Sequence, residues 1–365
     1  MSGPVPNPGI LDIAPYVGGE HSAAGAARLY RLASNEGALG PSPKAVAAYQ
    51  TLAQEMHRYP DGGAHVLRES IGRRFGLDPA RIVCGAGSDE LLQLLTKSYA
   101  GPGTEVLYSR HGFLIYPIAA TGVGATPVAA PEKNLRADVD ALLERVNEKT
   151  RIVFLANPNN PTGTYLTTAE IERLHAGLPD HVLLVIDAAY AEFIDLPDYT
   201  AGAELVDRFP NVVMTRTFSK IYALGGLRLG WAYCPPAVAD VLNRLRGPFN
   251  VGAPALAAGA AAVEDVEFET RSREHNTIWR EWFTARAREL GYRVHPSVAN
   301  FVLVDFEGLP AGKADAEAAR QFLKSRGILV RQMGGYGLPT NLRVTIGKQD
   351  EMEFVVEALR DWLRG

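Results

Sequence analysis

One lysine of this sequence stands where chemistry with a carbonyl compound is feasible. Lys220 ends the segment TFSK, which closes an apolar stretch, and a glycine-rich turn containing Arg228 follows it. A desolvated lysine has a lowered pKa and becomes a nucleophile for carbonyl compounds. Taken alone, the segment is explained better by a solvent-exposed Lys220, so its interpretation depends on the other polar segments.

Two further segments place polar groups at predicted strand ends. Asp187 ends the apolar run HVLLVI, and Tyr190 follows three residues later. A carboxylate there needs a positive partner or several donors because its desolvation is costly, and a helix cap or a core ion pair is the alternative interpretation. The segment NPNNPTG, which contains Asn160, follows the run RIVFLA. Its prolines and glycine predict a rigid turn at the carboxyl end of a strand, where open α/β sheets bind ligands.

A fourth segment, GAGSDE, lies between a predicted strand and a predicted helix. The backbone N–H groups of Gly87, Ser88 and Asp89 would be free at the helix amino terminus and could bind an anion, although an ordinary strand–helix turn explains the segment equally well. The third glycine of a dinucleotide-binding fingerprint is missing, and no P-loop is present. No histidine or cysteine spacing suits zinc, so we predict no metal site.

The elements that position these residues follow an alternating pattern. From about Arg81, short β-rich runs alternate with helical patterns, which predicts a mainly parallel sheet with helices on both faces. Thr167 to Glu170 is a capping box that predicts a helix start. A single long helix is expected after Pro254, and a smaller α+β pattern follows it. We therefore expect a large domain over residues 46–270, and a small domain built from 271–365 together with an amino-terminal arm, 1–45.

Composition bounds the class of function. The 365 residues are 47% hydrophobic and carry 37 basic against 41 acidic side chains, a net charge of -4. This balance lacks the single-sign field that nucleic acid or an anionic membrane would require, so small-molecule substrates are favoured. No signal peptide or membrane span is predicted, and Cys84 and Cys234 are expected to be buried reduced thiols, which fits the cytoplasm.

Taken in order, GAGSDE, NPNNPTG, DAAY and TFSK with Arg228 resemble the signature of the fold-type-I pyridoxal-phosphate aminotransferases. The segments RLASNEGALGPSP, HRYPDGG, ANFVLVDF, ILVRQ and LRVTIG make the chain most similar to the histidinol-phosphate branch of that family. The resemblance covers nearly the whole chain. It implies an α/β fold in which a large domain with a mainly parallel central sheet, sandwiched by helices, is joined to a small α+β domain.

The resemblance also implies a role for each candidate residue around pyridoxal 5'-phosphate. Lys220 would hold the cofactor as a Schiff base and act as general base and acid, and Asp187 would face the ring nitrogen. Asn160 and Tyr190 would bond the ring hydroxyl, and Phe113 would stack on the ring. The phosphate would be held by Gly87, Ser88, Asp89, Thr217, Ser219 and Arg228, with Tyr59 reaching it from the neighbouring subunit. A homodimer with shared active sites is therefore implied.

On the substrate side, the resemblance implies that Arg343 clamps the α-carboxylate of glutamate. Arg331, Tyr16 and Asn35 would line the same anionic pocket. One departure stands out, because the family commonly has D-E-A-Y where this chain has Asp187, Ala188, Ala189 and Tyr190. The missing glutamate is not the partner of the ring nitrogen, so we expect catalysis to survive.

The implied reaction is transamination between L-histidinol phosphate and 2-oxoglutarate, giving imidazole acetol phosphate and glutamate in histidine biosynthesis. Two alternatives remain open at this point: an aromatic amino-acid aminotransferase, including one of dual specificity, and a threonine-phosphate decarboxylase. A cofactor-binding regulator without catalysis lacks support because Lys220 is retained.

Overall fold

The computed structural model describes residues 3–16, 18–20, 22 and 28–365, so a small part of the predicted arm lies outside the described residues. The strands are β1 (Tyr30–Arg31), β2 (Ile82–Gly85), β3 (Glu105–Ser109), β4 (Thr126–Ala130), β5 (Glu132–Lys133), β6 (Arg136–Ala137), β7 (Thr150–Ala156), β8 (Leu183–Asp187), β9 (Val212–Thr217), β10 (Gly230–Tyr233), β11 (Arg293–Val294), β12 (Phe301–Asp305), β13 (Ile328–Leu329), β14 (Arg331–Met333) and β15 (Leu338–Thr345).

Helices cover much of the remaining described chain. They are α1 (Pro43–Thr51), α2 (His65–Phe75), α3 (Ser88–Tyr99), α4 (Ile115–Gly122), α5 (Val139–Leu143), α6 (Thr168–Ala176), α7 (Ala203–Arg208), α8 (Pro236–Leu245), α9 (Ala253–Glu264), α10 (Val266–Glu289), α11 (Ala316–Ser325) and α12 (Gln349–Arg364). The predicted capping box is confirmed: the Thr167 hydroxyl accepts from the Glu170 N–H, and the Glu170 carboxylate accepts from the Thr167 N–H.

A seven-stranded sheet in the order β2-β10-β9-β8-β7-β3-β4 forms the centre of the molecule. Its strands pair in parallel except for β10, which runs antiparallel to both β2 and β9. The mainly parallel sheet predicted from the alternating pattern is therefore confirmed.

Both faces of this sheet are buried. Along β8, Leu184 and Ile186 belong to one hydrophobic cluster, whereas Leu183 and Val185 belong to another on the opposite face. Side chains alternate across a strand, so a strand covered on both faces must be apolar at every position. This is why the run HVLLVI has no period of two, and why its final residue, Asp187, stands out as the polar end of a buried strand.

A second, antiparallel sheet has the order β11-β12-β15-β14. It packs with α11, α12 and the end of α10 around a separate hydrophobic cluster that includes Phe283, Val304 and Val355. The amino-terminal segment joins this unit, because β1 pairs in parallel with β13 and Tyr30 belongs to the same cluster. The expected small α+β unit is thus present.

The single long helix expected after Pro254 is wrong, because the chain forms two helices, α9 and α10, that meet at Asp265. The backbone of Asp265, at φ -87° and ψ 65°, departs from helical geometry. Its buried carboxylate accepts a hydrogen bond from Lys44 Nζ at 3.0 Å. This tertiary ion pair accompanies the break, and the helical periodicity of the segment does not reveal it.

Cys84 and Cys234 are buried and unpaired, as predicted. Among the helices of the described residues, none has the combination of length and apolar composition that a membrane crossing requires.

Candidate active site

A cavity of about 320 Å³ opens where β7, β8 and β9 end. The predicted site residues that line it are Tyr16, Asn35, Ser88, Asp89, Phe113, Asn160, Asp187, Tyr190, Thr217, Ser219, Lys220, Arg228, Arg331 and Arg343. Parallel strands end at one edge of a sheet, so residues far apart in sequence meet there. Tyr59 is absent from the cavity wall: its side chain is 83% exposed and stacks on Phe249 with 4.7 Å between ring centroids.

Lys220 follows β9 and directs its amine into this cavity. Nζ donates a hydrogen bond to the Ser34 carbonyl at 3.2 Å and lies 5.8 Å from the centre of the Tyr190 ring. Desolvation, together with the nearby charge of Arg343, lowers the pKa of Lys220 from 10.5 to about 8. About a tenth of this amine is therefore neutral at pH 7, far more than for an ordinary lysine, and the neutral form can attack a carbonyl carbon.

Asp187 ends β8 as a buried carboxylate with a hydroxyl donor on each oxygen. Tyr116 donates to Oδ2 at 2.8 Å and Thr215 donates to Oδ1 at 3.2 Å. Burial raises the pKa of Asp187 to about 6, while the two hydroxyl groups oppose that rise. The sequence reasoning missed both donors, because Tyr116 lies in the apolar helix α4 and Thr215 lies inside the buried strand β9, with no motif to mark either.

The predicted anion site is present in part: Ser88 and Asp89 line the cavity, but Gly87 does not, and its N–H donates to the Gly85 carbonyl at 2.8 Å instead of being free. Helix α3 begins at Ser88 after Gly87, which has φ 82° and supplies no side-chain cap. Arg228 stands directly beside it: Nη2 donates to Asp89 Oδ2 at 3.1 Å, and Nη1 donates to Ser219 Oγ at 3.4 Å. A Cβ added at Gly87 would lie 2.6 Å from Arg228 Nη2, so the guanidinium occupies the space that a side chain would need.

Another part of the cavity wall is formed by Arg343, a buried residue of β15. Its Nη1 donates to Asn160 Oδ1 at 2.5 Å and its Nη2 donates to the Ala33 carbonyl at 2.8 Å. The buried Nε has no hydrogen-bond partner among the described residues. Nearby, Asn35 Nδ2 donates to the Tyr190 hydroxyl at 2.8 Å.

Arg331 and Tyr16 stand together at the outer end of the site, with the guanidinium 5.6 Å from the centre of the Tyr16 ring. The same two residues also line a second, adjoining cavity of about 640 Å³, whose wall includes residues 12–16 and 18–20. The site therefore extends beyond the space around Lys220 and Asp187.

Phe113 also lines the cavity, and its ring lies edge-on to that of Tyr116 with 6.0 Å between the ring centroids. Ala188, where the family commonly has glutamate, is fully buried in the hydrophobic cluster, and its N–H donates to the Thr215 carbonyl at 2.9 Å. A carboxylate at this position would be buried among apolar side chains, so alanine suits these surroundings.

The residues present fit pyridoxal phosphate. A buried amine can hold an aldehyde, a buried carboxylate can face a protonated ring nitrogen, and an uncapped helix start beside a guanidinium can hold a phosphate. Thr217 Oγ1 accepts from the Ser219 N–H at 3.1 Å, which fixes the turn that carries Lys220 beside this cradle. Amine, carboxylate and anion cradle all face one cavity, as this cofactor requires.

Comparisons with known proteins agree with this geometry. A family model described as aminotransferase class I and II matches residues 27–359. A histidinol-phosphate aminotransferase from Rhodospirillum centenum is 69% identical over 365 residues, covering 100% of both chains. One from Paramagnetospirillum magneticum is 61% identical, covering 100% of this chain and 99% of the relative. The crystal structure of histidinol-phosphate aminotransferase from Sinorhizobium meliloti in complex with pyridoxal-5'-phosphate superimposes with a TM-score of 0.88 at 29% identity, covering 98% of this chain and 97% of that one.

Proposed function

The chain belongs to the class I and II aminotransferase family, and we propose that it catalyses amino-group transfer between L-histidinol phosphate and 2-oxoglutarate in histidine biosynthesis. The products are imidazole acetol phosphate and glutamate, and the cofactor is pyridoxal 5'-phosphate. The observation that carries the proposal is 69% identity to a histidinol-phosphate aminotransferase over the full length of both chains. The comparisons do not favour the aromatic amino-acid alternative.

Lys220 has two tasks in this proposal. Pyridoxal phosphate, when bound, supplies an electron-withdrawing ring and an aldehyde that carries the amino group between substrates. Lys220 binds that aldehyde and then, once free, takes a proton from the carbon that bears the substrate amine and later returns one. A pKa of about 8 suits both directions of transfer near neutral pH.

Four other residues orient the ring. Asp187 presents a buried negative charge to the ring nitrogen, which keeps that nitrogen protonated. Asn160 and Tyr190 bond the ring hydroxyl, and Phe113 covers the ring face. The phosphate is held by the N–H groups of Ser88 and Asp89, the hydroxyls of Thr217 and Ser219, and Arg228, and Gly87 leaves the space that the Arg228 guanidinium occupies.

The anionic end of each substrate meets two arginines. Arg343 binds the α-carboxylate of glutamate, and its buried Nε is a donor that has no protein partner among the described residues. Arg331, with Tyr16 and Asn35, completes a pocket for the phosphate ester of histidinol phosphate. Guanidinium groups match both carboxylate and phosphate geometry, so one pocket serves both substrates.

We also propose a homodimer with shared active sites. Tyr59, Met56 and Val66 lie within eleven residues of sequence, and their apolar side chains are 83%, 80% and 67% exposed, which is consistent with a surface that a partner covers. A partner subunit that covers this surface would bring its own Tyr59 to the phosphate site.

The proposed domain boundaries remain 46–270 for the large domain, with 1–45 and 271–365 forming the arm and the small domain. The free, buried cysteines support a cytoplasmic location.

A substrate panel tests the proposed reaction. The purified holoenzyme would be incubated with 2-oxoglutarate and one donor at a time: histidinol phosphate, phenylalanine, tyrosine or threonine phosphate. Glutamate formation and carbon dioxide release are both measured. We expect the highest kcat/KM with histidinol phosphate. A higher value with phenylalanine or tyrosine, or carbon dioxide release from threonine phosphate, would replace the proposed function with one of the alternatives.

A further inference from the structure

Tyr116 contacts the site from behind the residues that line it. It is 1% exposed and lies in α4, whereas its hydrogen-bond acceptor, Asp187 Oδ2, ends β8 at 2.8 Å. The second carboxylate oxygen accepts from Thr215 of β9 at 3.2 Å. Each oxygen of Asp187 therefore has a hydroxyl donor, and the donors come from two different elements.

The ring of Tyr116 is held on several sides. It stacks on Phe154 of β7 with 4.7 Å between centroids and 7° between planes. Phe113 meets it edge-on at 6.0 Å, and Tyr108 lies 6.3 Å away at a tilt. A phenolic O–H lies near the plane of its ring, so fixing the ring also fixes the direction in which the hydroxyl donates.

The charges around Asp187 make a fixed donor important. Lys220 is the positive group that faces it, whereas Asp89 of α3 is a like charge that opposes its ionisation. The phenols of Tyr190 and Tyr199 also lie close to it. Burial raises the pKa of the Tyr116 phenol well above 10, so the phenol keeps its proton and can donate at neutral pH.

We propose that Tyr116 is a positioning residue, whose hydroxyl keeps the Asp187 carboxylate ionised and aimed at the ring nitrogen of the cofactor. The inference rests on the proposed function, because it assigns Asp187 to that nitrogen. Tyr116 does not contact the cofactor in this scheme. It acts through Asp187 alone.

Tyr116→Phe tests this, because phenylalanine keeps the ring stack on Phe154 and removes only the hydroxyl. Tyr108→Phe is the matched control: it removes a hydroxyl beside the same ring that is not a donor to Asp187. The dissociation constant of pyridoxal phosphate is measured from the fluorescence of the cofactor-free protein between pH 5 and pH 9. Losing a hydrogen bond to a charged group weakens an interaction about ten- to a hundredfold.

We expect Tyr116→Phe to weaken cofactor binding by about that factor and to move the acid limit of binding upward by about one pH unit or more. The sign follows because a carboxylate that loses a donor ionises at higher pH. The kcat should fall with little change in the KM for substrate. Tyr108→Phe should leave all three quantities unchanged.

Combining Tyr116→Phe with Asp187→Asn separates positioning from a structural role. If Tyr116 acts through Asp187, its substitution should have no further effect on cofactor affinity in the Asp187→Asn protein. An equal loss in both backgrounds, or unchanged affinity and pH dependence in the single variant, would overturn the inference. Failure of the unaltered protein to bind pyridoxal phosphate would instead refute the proposed function.

Discussion

Replacing Lys220 with methionine is expected to make the cofactor-free protein more stable. Methionine keeps an unbranched side chain in the cavity but carries no charge. Burial lowers the pKa of Lys220 from 10.5 to about 8, which means that the folded protein holds the charged ammonium at a cost. A tenfold change in proton affinity corresponds to about 1.4 kcal/mol, so this cost is about 3 kcal/mol.

The loss of one hydrogen bond would reduce this gain in stability. Methionine cannot donate to the Ser34 carbonyl, which now accepts from Lys220 Nζ at 3.2 Å, and losing such a hydrogen bond costs about 1 kcal/mol. The net gain in the free energy of unfolding near pH 7 should therefore be about 2 kcal/mol. The sign is opposite to that of most substitutions of buried residues.

The pH dependence of this stability difference would show whether the buried charge of Lys220 is its cause. Below pH 8, lysine is charged in both the folded and the unfolded protein, so the full penalty is present. As pH rises from about 8 to 10.5, the folded protein loses its proton before the unfolded chain does, and the penalty disappears. The methionine variant should therefore have its full advantage near neutral pH and none at pH 10.5, where the lost hydrogen bond to Ser34 outweighs the small penalty that remains.

Urea denaturation of both cofactor-free proteins, followed by tryptophan fluorescence at several pH values, measures this difference. Lys97→Met, which removes an exposed lysine of α3, is the control and should change stability by less than about 0.5 kcal/mol. A Lys220→Met protein that is less stable than the unaltered one at pH 7 would refute the reasoning. So would an advantage of constant size across this pH range.

Four further outcomes are expected. Borohydride reduction of the holoenzyme should fix the cofactor to the peptide that contains Lys220, and a label on another lysine would contradict its assignment. Asp187→Asn should retain its far-UV circular dichroism but lose about a hundredfold or more in kcat, because an amide cannot stabilise the protonated ring nitrogen. Arg331→Ala should reduce kcat/KM for histidinol phosphate about ten- to a hundredfold more than it reduces kcat/KM for phenylalanine. Arg343→Ala should reduce kcat/KM for every donor. Equal losses for all donors in Arg331→Ala would remove the argument for phosphate recognition. Mixing Tyr59→Phe with Lys220→Ala should restore activity by forming one unaltered site per heterodimer, and no recovery despite confirmed subunit exchange would argue against shared sites.

The positions of Asp187 and Lys220 could be predicted because both residues lie at or just beyond the carboxyl ends of strands. Asp187 and Lys220 each follow an apolar run, and parallel strands bring such ends to one edge of a sheet. The cavity confirms this juxtaposition. For Asn160 the turn-forming prolines around it gave the position, and the resemblance to the aminotransferases supplied the expected role.

Contacts between distant elements could not be predicted in this way. Tyr116 stands 71 residues before Asp187, in a helix whose neighbours are apolar, so nothing local marks its hydroxyl as a donor. Likewise, Asn35 was expected in the substrate pocket, but its bond to Tyr190 joins residues 155 positions apart. Such pairs depend on how helices pack on the sheet, which the periodicity of a single segment does not contain.

The break between α9 and α10 has the same origin. The periodic pattern runs through Asp265 without interruption, and the partner of its carboxylate, Lys44, lies 221 residues away on α1. The local helix propensity of the segment predicts one continuous helix, whereas the folded chain has two helices with the tertiary ion pair at their junction. Helix boundaries are the feature of a sequence that tertiary contacts most readily override.

The contacts of Arg343 bear on how tightly the enzyme can hold its substrates. This arginine belongs to the four-stranded sheet, yet it donates to Asn160 beyond β7 and to the Ala33 carbonyl, so it joins the small unit to the seven-stranded sheet. If Arg343 binds the substrate carboxylate as proposed, that carboxylate must compete with these neutral acceptors at Nη1 and Nη2, where it gains only the difference between the old bonds and the new ones, whereas the unpartnered Nε offers a new bond. An arginine that exchanges one set of acceptors for another in this way favours rapid release of the bound substrate. Fast turnover of two anionic substrates through one pocket benefits from that modest affinity, since each must leave before the other can bind.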